Sequence, residues 1–428
     1  MTTALLLIIT LISCLAAIAR PWIGVIAYYT LALLSPDGFW PWIFNNSRIS
    51  LYVAIATILG LTFSILKKEI NFSNIKNKQT TALILLALVV NTSHFLSPYY
   101  GVYVGQIIPP GEALVIFNKL LIFYFISILL IDDNKKLMYL VSVLIVTAII
   151  YTIWSNNIYF SGNLWATSDN GRLKGVGRYL DENVFSVLFV SAIPFIYFYT
   201  SILKNKFLKY SVLLMVPLAW HSLFLIGSRG ALIALLVTTL VIAFRSHSKI
   251  FGSVVLFGLL VAVVNYGGTI YERSTNTVNT AQTDSEEPLN PRIITWTAGL
   301  EMIKDRPLLG VGIEQFQTAG IEYIDGRVLV AHNTFLQFAT QAGLLAGFIY
   351  LWFFYNFFIT FKFINKASID PFNLCISNAM FISSIGYFIC AIFLNLMITE
   401  MLYFLLIINI TNLNQVNKEV LSNKDINI

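Results

Sequence analysis

Charged residues are scarce in this sequence. Only 11% of the 428 residues are Asp, Glu, Lys or Arg, whereas 57% are hydrophobic. Soluble globular domains carry about 25% charged residues on average, so the composition excludes that class. Apolar runs of roughly 15 to 25 residues recur along the chain, and an α-helix of this length crosses a lipid bilayer. The sequence therefore predicts an all-α integral membrane protein that forms a single polytopic domain over residues 1–428.

Cysteine and histidine are equally rare. The three cysteines (Cys14, Cys375 and Cys390) lie inside apolar runs, where they fit small core residues and not a disulfide framework. None of the four histidines is spaced with a second histidine or cysteine as a metal site requires. The chain also lacks a Walker loop and a GxGxxG motif, which argues against ATP-driven transport. No cofactor and no metal are predicted.

The apolar runs predict twelve or thirteen membrane-spanning helices. The first two runs are short and can form a hairpin, which leaves the count open by one. The first run has no basic residue before Arg20, so we interpret it as a retained span and not as a cleaved signal peptide. The predicted spans are 3–19, 22–35, 50–66, 80–97, 112–131, 137–155, 183–203, 211–227, 231–244, 250–265, 334–361, 372–395 and 397–414.

Basic residues mark every second junction between these runs. Under the positive-inside rule such junctions are cytoplasmic, and residues 415–428 then form a cytoplasmic tail. The net charge of +6 follows from this bias and does not indicate nucleic-acid binding. The alternate junctions are predicted to be external. The basic junctions are Lys67 to Lys78, Lys135 and Lys136, Lys204 to Lys209, Arg245 to Lys249, and Lys362 to Lys366.

One external segment, residues 265–333, is much longer than the others. It holds nine of the chain's 21 acidic residues against five basic residues. Ser274 to Asn290 is rich in polar residues and predicts a flexible stretch. Pro291 then predicts the start of a helix that runs to about Lys304, with an apolar face. The residues of that face are Ile293, Trp296, Leu300 and Ile303.

Two arginines of the external side are candidate ligands for an anion. Arg292 lies in the first turn of the predicted helix, where free backbone N–H groups and the helix dipole favour phosphate. Arg229 lies at a tight junction between two apolar runs, where a charge is costly and commonly serves a site. The alternatives are a surface arginine that solubilises the helix for Arg292, and a side chain that extends to the interface for Arg229.

His332 lies where the long external segment returns to the membrane. A neutral imidazole can accept a proton from a hydroxyl nucleophile near neutral pH. The alternative is a polar core residue without a catalytic role. A shorter external segment, Gly171 to Arg178, adds three cations (Arg172, Lys174 and Arg178) among glycines, which suits an anionic substrate. This segment is equally typical of a mobile basic loop.

Three stretches in register resemble the bacterial O-antigen ligase and O-antigen polymerase superfamily. The first is Ser228-Arg-Gly-Ala-Leu232 and the second runs from Arg292 to Gly312 through Asp305-Arg-Pro-Leu-Leu-Gly310. The third is Ala331-His-Asn-Thr-Phe-Leu-Gln337, which continues to Gly343-Leu-Leu-Ala-Gly347. The N-terminal Ser35-Pro-Asp-Gly38 is similar to an O-glycosylation ligase-like branch, although Asp181-Glu-Asn183 departs from the pattern of that branch.

The resemblance implies a GT-C-like glycosyltransferase of the bacterial inner membrane, with a periplasmic active site partly formed by residues 265–333. The donor would be an undecaprenyl-diphosphate-linked glycan, and the acceptor a hydroxyl on lipid A-core, a protein or another glycan. Arg229 and Arg292 would stabilise the diphosphate, and His332 would deprotonate the acceptor. Arg172, Lys174 and Arg178 would bind the anionic substrate. Neither a metal nor a nucleotide is required.

The sequence is also compatible with two other functions. A polysaccharide polymerase would use a second lipid-linked repeat as the acceptor, and the donor chemistry would be the same. A flippase or a secondary transporter would move such a lipid without changing its glycan linkage. Little intramembrane charge and no evident inverted repeat favour an enzyme over a transporter.

Overall fold

The computed structural model describes residues 3–44, 48–104, 106, 108–168, 171–245, 258, 291–324 and 328–426. These residues form seventeen α-helices and contain no β-strand. The helices are α1 (Thr3–Ala19), α2 (Pro21–Leu34), α3 (Pro36–Phe39), α4 (Pro41–Phe44), α5 (Ile49–Leu66), α6 (Lys78–Phe95), α7 (Pro110–Leu130), α8 (Asn134–Phe160), α9 (Glu182–Tyr199), α10 (Lys206–Ile226), α11 (Arg229–Arg245), α12 (Pro291–Asp305), α13 (Phe316–Gly320), α14 (Thr334–Ala342), α15 (Leu344–Ala367), α16 (Pro371–Ala391) and α17 (Glu400–Ile426).

Seven of these helices are long and apolar enough to cross a membrane by themselves. They are α5, α7, α8, α9, α10, α15 and α16. Two shorter apolar helices, α1 and α2, precede them. The prediction of an all-α integral membrane protein is confirmed. Helices α6, α11 and α17 occupy three further predicted spans, whereas span 250–265 (Gly258 apart) and the stretch Ser274–Asn290 lie outside the described residues.

Helices α6 and α17 contain more polar residues than the seven, and the structure buries these residues between helices. The side chain of Gln79 donates hydrogen bonds to the Tyr124 hydroxyl at 3.0 Å and to the Leu406 carbonyl oxygen at 2.8 Å. Its own carbonyl oxygen accepts from the amides of Asn356 and Asn409 at 3.1 and 2.9 Å. Polar groups paired in this way can be buried without a large desolvation cost.

The core of the bundle is the packing of α16 against α9 and α11. A Cβ atom on Gly386 of α16 would lie 2.5 Å from Val190 Cγ1 and 2.8 Å from Thr238 Cγ2, so glycine is required there. The Ser383 hydroxyl also donates to the Ser191 carbonyl oxygen at 2.8 Å. Small residues and interhelical hydrogen bonds of this kind bring membrane helices close together.

Hydrogen bonds near the helix ends show which segments lie at the same end of the bundle. At one end, the Ser368 hydroxyl donates to Glu419 Oε2 at 2.7 Å and Lys418 Nζ donates to the Asp132 carbonyl oxygen at 2.7 Å. At the other end, the Leu173 N–H donates to the Leu225 carbonyl oxygen at 3.0 Å. The first two contacts join the C-terminal segment to two of the basic junctions, and the third joins a junction predicted to be external to the end of α10.

One predicted helix boundary is wrong. The apolar run 334–361 is not one helix, because the chain breaks at Gly343, which has φ +87° and separates α14 from α15. A Cβ atom on Gly343 would lie 2.1 Å from the Leu308 carbonyl oxygen, so the break is held by the turn after α12. Helix α17 continues past residue 414 through most of the segment 415–428, whose assignment as a cytoplasmic tail stays a prediction.

The predicted helix after Pro291 is present, but its buried face differs from the prediction. Helix α12 ends at Asp305, and Thr295, Ala298, Met302 and Ile303 are buried on it. Ile293 and Leu300, which the sequence assigned to the packed face, are half-exposed instead. The reason is the close approach of α14, where a Cβ atom on Gly299 would lie 2.9 Å from a methyl group of Leu336.

Candidate active site

Arg229 is positioned by the tight turn that joins α10 to α11. Helix α10 ends at Ile226, and the next residue, Gly227, has a φ of +64° that lets its N–H donate to the Leu223 carbonyl oxygen at 3.0 Å. Arg229 is the first residue of α11 and its side chain is exposed. Among the described residues it has no hydrogen-bond or ion-pair partner. Its guanidinium group is therefore available to an anion.

Phe393 brings the second arginine to the same place. A Cβ atom on Gly230 would lie 2.7 Å from the Phe393 ring, so the α10–α11 turn rests on this ring. The guanidinium carbon of Arg292, in the first turn of α12, lies 5.8 Å from the centre of the same ring. Burial and the positive charge of Arg229 both lower the pKa of Arg292. Two neighbouring guanidinium groups repel each other, and a bound anion relieves that repulsion.

His332 has a left-handed backbone conformation and is fixed on both sides. Its φ is +48°, which is uncommon for a residue other than glycine and is often found at functional sites. The Trp296 indole N–H of α12 donates to the Ala331 carbonyl oxygen at 2.7 Å. The Asn333 N–H donates to the Asn395 side-chain oxygen at 3.3 Å. The imidazole is thereby held next to the helix that carries Arg292.

The environment of His332 favours its neutral form. Burial is the main cause that lowers the pKa of the imidazole, and the charge of Arg292 lowers it further. The carboxylate of Asp181 acts in the opposite direction and raises this pKa. A neutral imidazole at pH 7 is able to accept a proton, and a nearby carboxylate stabilises the imidazolium that results.

Asp181 reaches this site from the start of α9. Its Oδ1 accepts a hydrogen bond from the Val184 N–H at 2.9 Å, so Asp181 caps α9. The sequence does not link Asp181 to His332, because 150 residues separate the two and they share no local pattern. The same carboxylate caps α9 and raises the pKa of the His332 imidazole.

The three cations of the Gly171–Arg178 segment contact neighbouring parts of the protein. Arg172 donates from Nε to the Ile226 carbonyl oxygen and from Nη2 to the Asn183 side-chain oxygen, both at 2.9 Å. Arg178 forms an ion pair with Glu400 at the start of α17. Lys174 is half-buried, and its N–H donates to the Ala166 carbonyl oxygen at 2.8 Å. Their predicted contact with substrate stays a prediction.

Sequence reasoning missed the segment between α16 and α17. Phe393 contacts Arg292 and the turn that carries Arg229. Asn395 accepts from the N–H of Asn333, beside His332, and the Met397 N–H donates to the Gln337 side chain. These residues follow an apolar helix and show no motif. Within the described residues, no group of three or more His, Cys, Asp or Glu side chains is arranged to hold a metal ion.

A comparison with known protein families finds one match. Residues 212–351 match the family model described as O-antigen ligase. This chain resembles the O-antigen ligases. The match confirms the resemblance expected from the three sequence stretches. No curated protein matches the chain. The matched segment contains Arg229, Arg292 and His332, whereas Asp181 and Phe393 lie outside it.

Proposed function

We propose that the protein is a membrane glycosyltransferase of the ligase type. It transfers a glycan from an undecaprenyl-diphosphate donor to a hydroxyl acceptor at the periplasmic face of the inner membrane, without a metal. The observation that carries this proposal is the pair of neighbouring arginines, Arg229 and Arg292, beside a histidine whose pKa is lowered by burial and by the charge of Arg292.

The reaction follows from the chemistry of these groups. The acceptor hydroxyl gives its proton to the imidazole of His332, and its oxygen attacks the anomeric carbon of the donor. The bond from the anomeric carbon to the diphosphate oxygen breaks, and the electron pair leaves with the diphosphate. The guanidinium groups of Arg229 and Arg292 stabilise the negative charge that develops there. Asp181 stabilises the imidazolium until its proton is lost to water.

The membrane helices complete the site. A donor with a long prenyl tail requires an apolar environment beside a polar reaction centre. Helices α10 and α11 are mainly apolar, and Arg229 lies at the turn between them. The tail can therefore remain in the bilayer while the diphosphate reaches the arginines. The donor is already activated, so no nucleotide is needed.

Transfer by purified protein in lipid nanodiscs tests this function. We expect a labelled glycan to move from its lipid diphosphate to lipid A-core or to a protein acceptor, with no loss when EDTA is present. Transfer only to a second lipid-linked repeat would identify a polymerase instead. Movement of the intact lipid across the bilayer without a new linkage would contradict an enzyme and support a flippase.

Thiol labelling tests the side of the membrane. In a variant without Cys14, Cys375 and Cys390, a cysteine at the exposed position Asn163 should react with an impermeant reagent from the periplasm. A cysteine at the exposed position Asn205 should react only after the inner membrane is permeabilised. Labelling of Asn205→Cys in intact spheroplasts would reverse the orientation and contradict a periplasmic site.

A further inference from the structure

Glu314 is a carboxylate of the external region that the mechanism above does not use. Its backbone has φ +53°, so it is one of the few non-glycine residues in the left-handed region among those described. Its N–H donates to the Gln341 side-chain oxygen at 2.9 Å. Its Oε1 accepts from the Gln337 side-chain nitrogen at 3.1 Å. Both partners belong to α14, the helix that follows His332, so the carboxylate is held in one orientation.

The other carboxylate oxygen of Glu314 is available to a ligand. This oxygen has no hydrogen-bond partner among the described residues, and it is not completely enclosed by other atoms. The side chain is half-buried, and burial raises its pKa to about 7. A fixed, partly desolvated carboxylate with one open oxygen is a strong acceptor for a hydroxyl group.

The segment from Phe393 to Met397 shows where Glu314 lies relative to the other groups. Its first residue, Phe393, contacts Arg292 and Gly230. Asn395 accepts the hydrogen bond of the Asn333 N–H, beside His332. The Met397 N–H donates to the side-chain oxygen of Gln337 at 3.2 Å, and Gln337 holds Glu314. Segment 393–397 thus contacts, in chain order, the surroundings of the arginines, the residue after His332 and the side chain that holds Glu314, over a stretch that spans at most about 14 Å.

Among the described residues, the groups around Glu314 are polar but uncharged. The nearest groups are the Gln337 and Gln341 side chains on α14. The hydroxyl of Ser97, which follows α6, donates to the Val311 carbonyl oxygen, and the backbone N–H of Met397 donates to Gln337. Gln315 and Gln106 fill the space toward residues 98–104. The pKa of Glu314 responds to burial and to the Gln337 hydrogen bond, and no charged group contributes. A diphosphate is repelled by such a carboxylate, whereas a neutral sugar or other polyol is not.

We propose that Glu314, held by Gln337, binds the hydroxyl-bearing acceptor on the side of His332 that faces away from the arginines. This inference rests on the proposed function. In a direct displacement, the attacking oxygen and the leaving diphosphate lie on opposite faces of the sugar ring. The arginines bind the diphosphate, so the acceptor must approach from the other side of the donor sugar. His332 in the middle can then reach the acceptor oxygen, while Glu314 holds a neighbouring hydroxyl of the acceptor.

Steady-state kinetics of the full-length protein in nanodiscs test this assignment, with Glu314→Gln as the variant. Glutamine keeps the size of the side chain and its contact with Gln337, but it removes the charge. We expect kcat/KM for the acceptor to fall roughly ten- to a hundredfold, which is the scale of a hydrogen bond to a charged group. The KM for the lipid-linked donor and the slow hydrolysis of that donor by water should not change. Glu301→Gln, an exposed carboxylate on α12, is the matched control.

The outcomes are distinct. A Glu314→Gln variant with wild-type kcat/KM for the acceptor overturns the assignment of Glu314 and leaves the proposed function intact. An equal loss for donor hydrolysis and for acceptor transfer also overturns it, because the residue would then support the reaction centre as a whole. A folding defect is recognised by a lower melting temperature, and Glu314→Asp then serves as the second variant. Absence of transfer in the wild-type protein overturns the proposed function itself, and this proposal with it.

Discussion

The indole N–H of Trp296 donates a hydrogen bond to the carbonyl oxygen of Ala331 at 2.7 Å, and this bond joins helix α12 to the residue before His332. Arg292 is four residues before Trp296, so both side chains lie on the same face of α12. One hydrogen bond thus couples the position of a phosphate-binding candidate to that of the candidate base.

Replacement of Trp296 by Phe tests this coupling. The ring remains, but the Ala331 carbonyl oxygen loses its donor, so His332 can shift relative to Arg292. A displacement of about 1 Å lowers catalytic rates up to a hundredfold, and we expect a ten- to hundredfold lower kcat with unchanged membrane insertion. Trp165→Phe, at an exposed external position, is the control. Full activity in Trp296→Phe would contradict a role for this hydrogen bond.

Arg229 and Arg292 are expected to be essential as a pair. Replacement of either residue by Ala should lower transfer by a hundredfold or more, because a donor to the developing charge is removed. Lysine should restore little activity, since it cannot offer the planar fork of donors that a diphosphate accepts. The measurement is the initial rate with a lipid-linked donor. Arg48→Ala, an exposed arginine at the start of α5, should remain active.

Near-normal transfer by Arg292→Ala would assign that residue to solubility, the alternative that the sequence left open. The same result for Arg229→Ala would favour a side chain that only reaches the interface. In either case the diphosphate would have to be bound elsewhere, and Arg172, Lys174 and Arg178 would be the next residues to test.

Some residues of the candidate site can be predicted from the sequence and others cannot. Arg229 and His332 were identifiable because a charge or an imidazole at the edge of an apolar run is costly and therefore conspicuous. Arg292 was identifiable because it follows the Pro291 that starts a helix, where backbone N–H groups favour an anion. The effect of Asp181 on His332 was not identifiable, since the two residues are 151 positions apart in sequence. The break at Gly343 was missed because a glycine inside an apolar run leaves the hydropathy unchanged. Glu314 was not identified either, because in sequence it is one of many acids in a polar segment.

His332→Ala should lower the transfer rate by two to four orders of magnitude, the usual scale for loss of a general base. Donor binding should persist, because both arginines remain. Added imidazole should restore part of the rate, and a divalent metal should not. An active His332→Ala protein would remove His332 from the mechanism.

The pH profile gives an independent test through Asp181. Transfer requires neutral His332, and its pKa is lowered from 6.5, so the rate should remain high at pH 6.5 and fall only in more acidic buffer. Asp181 raises this pKa, so Asp181→Asn should move the acidic limb of the profile to still lower pH and reduce kcat. Asparagine also caps helices, so α9 should be preserved. Glu182→Gln is the neighbouring control, and an unshifted profile for Asp181→Asn would contradict the contact.

Glu314 should make the stability of the protein depend on pH in a way opposite to most carboxylates. Its pKa is raised from 4.5 to about 7, so the folded protein binds this proton more tightly than the unfolded chain does. The resulting stabilisation is complete below about pH 4.5 and is lost as the pH rises through about 7. The melting temperature in detergent should therefore fall between pH 5 and pH 8 more in the wild type than in Glu314→Gln. Glu301→Gln should follow the wild type, and identical slopes for all three proteins would show that the Glu314 carboxylate is not desolvated.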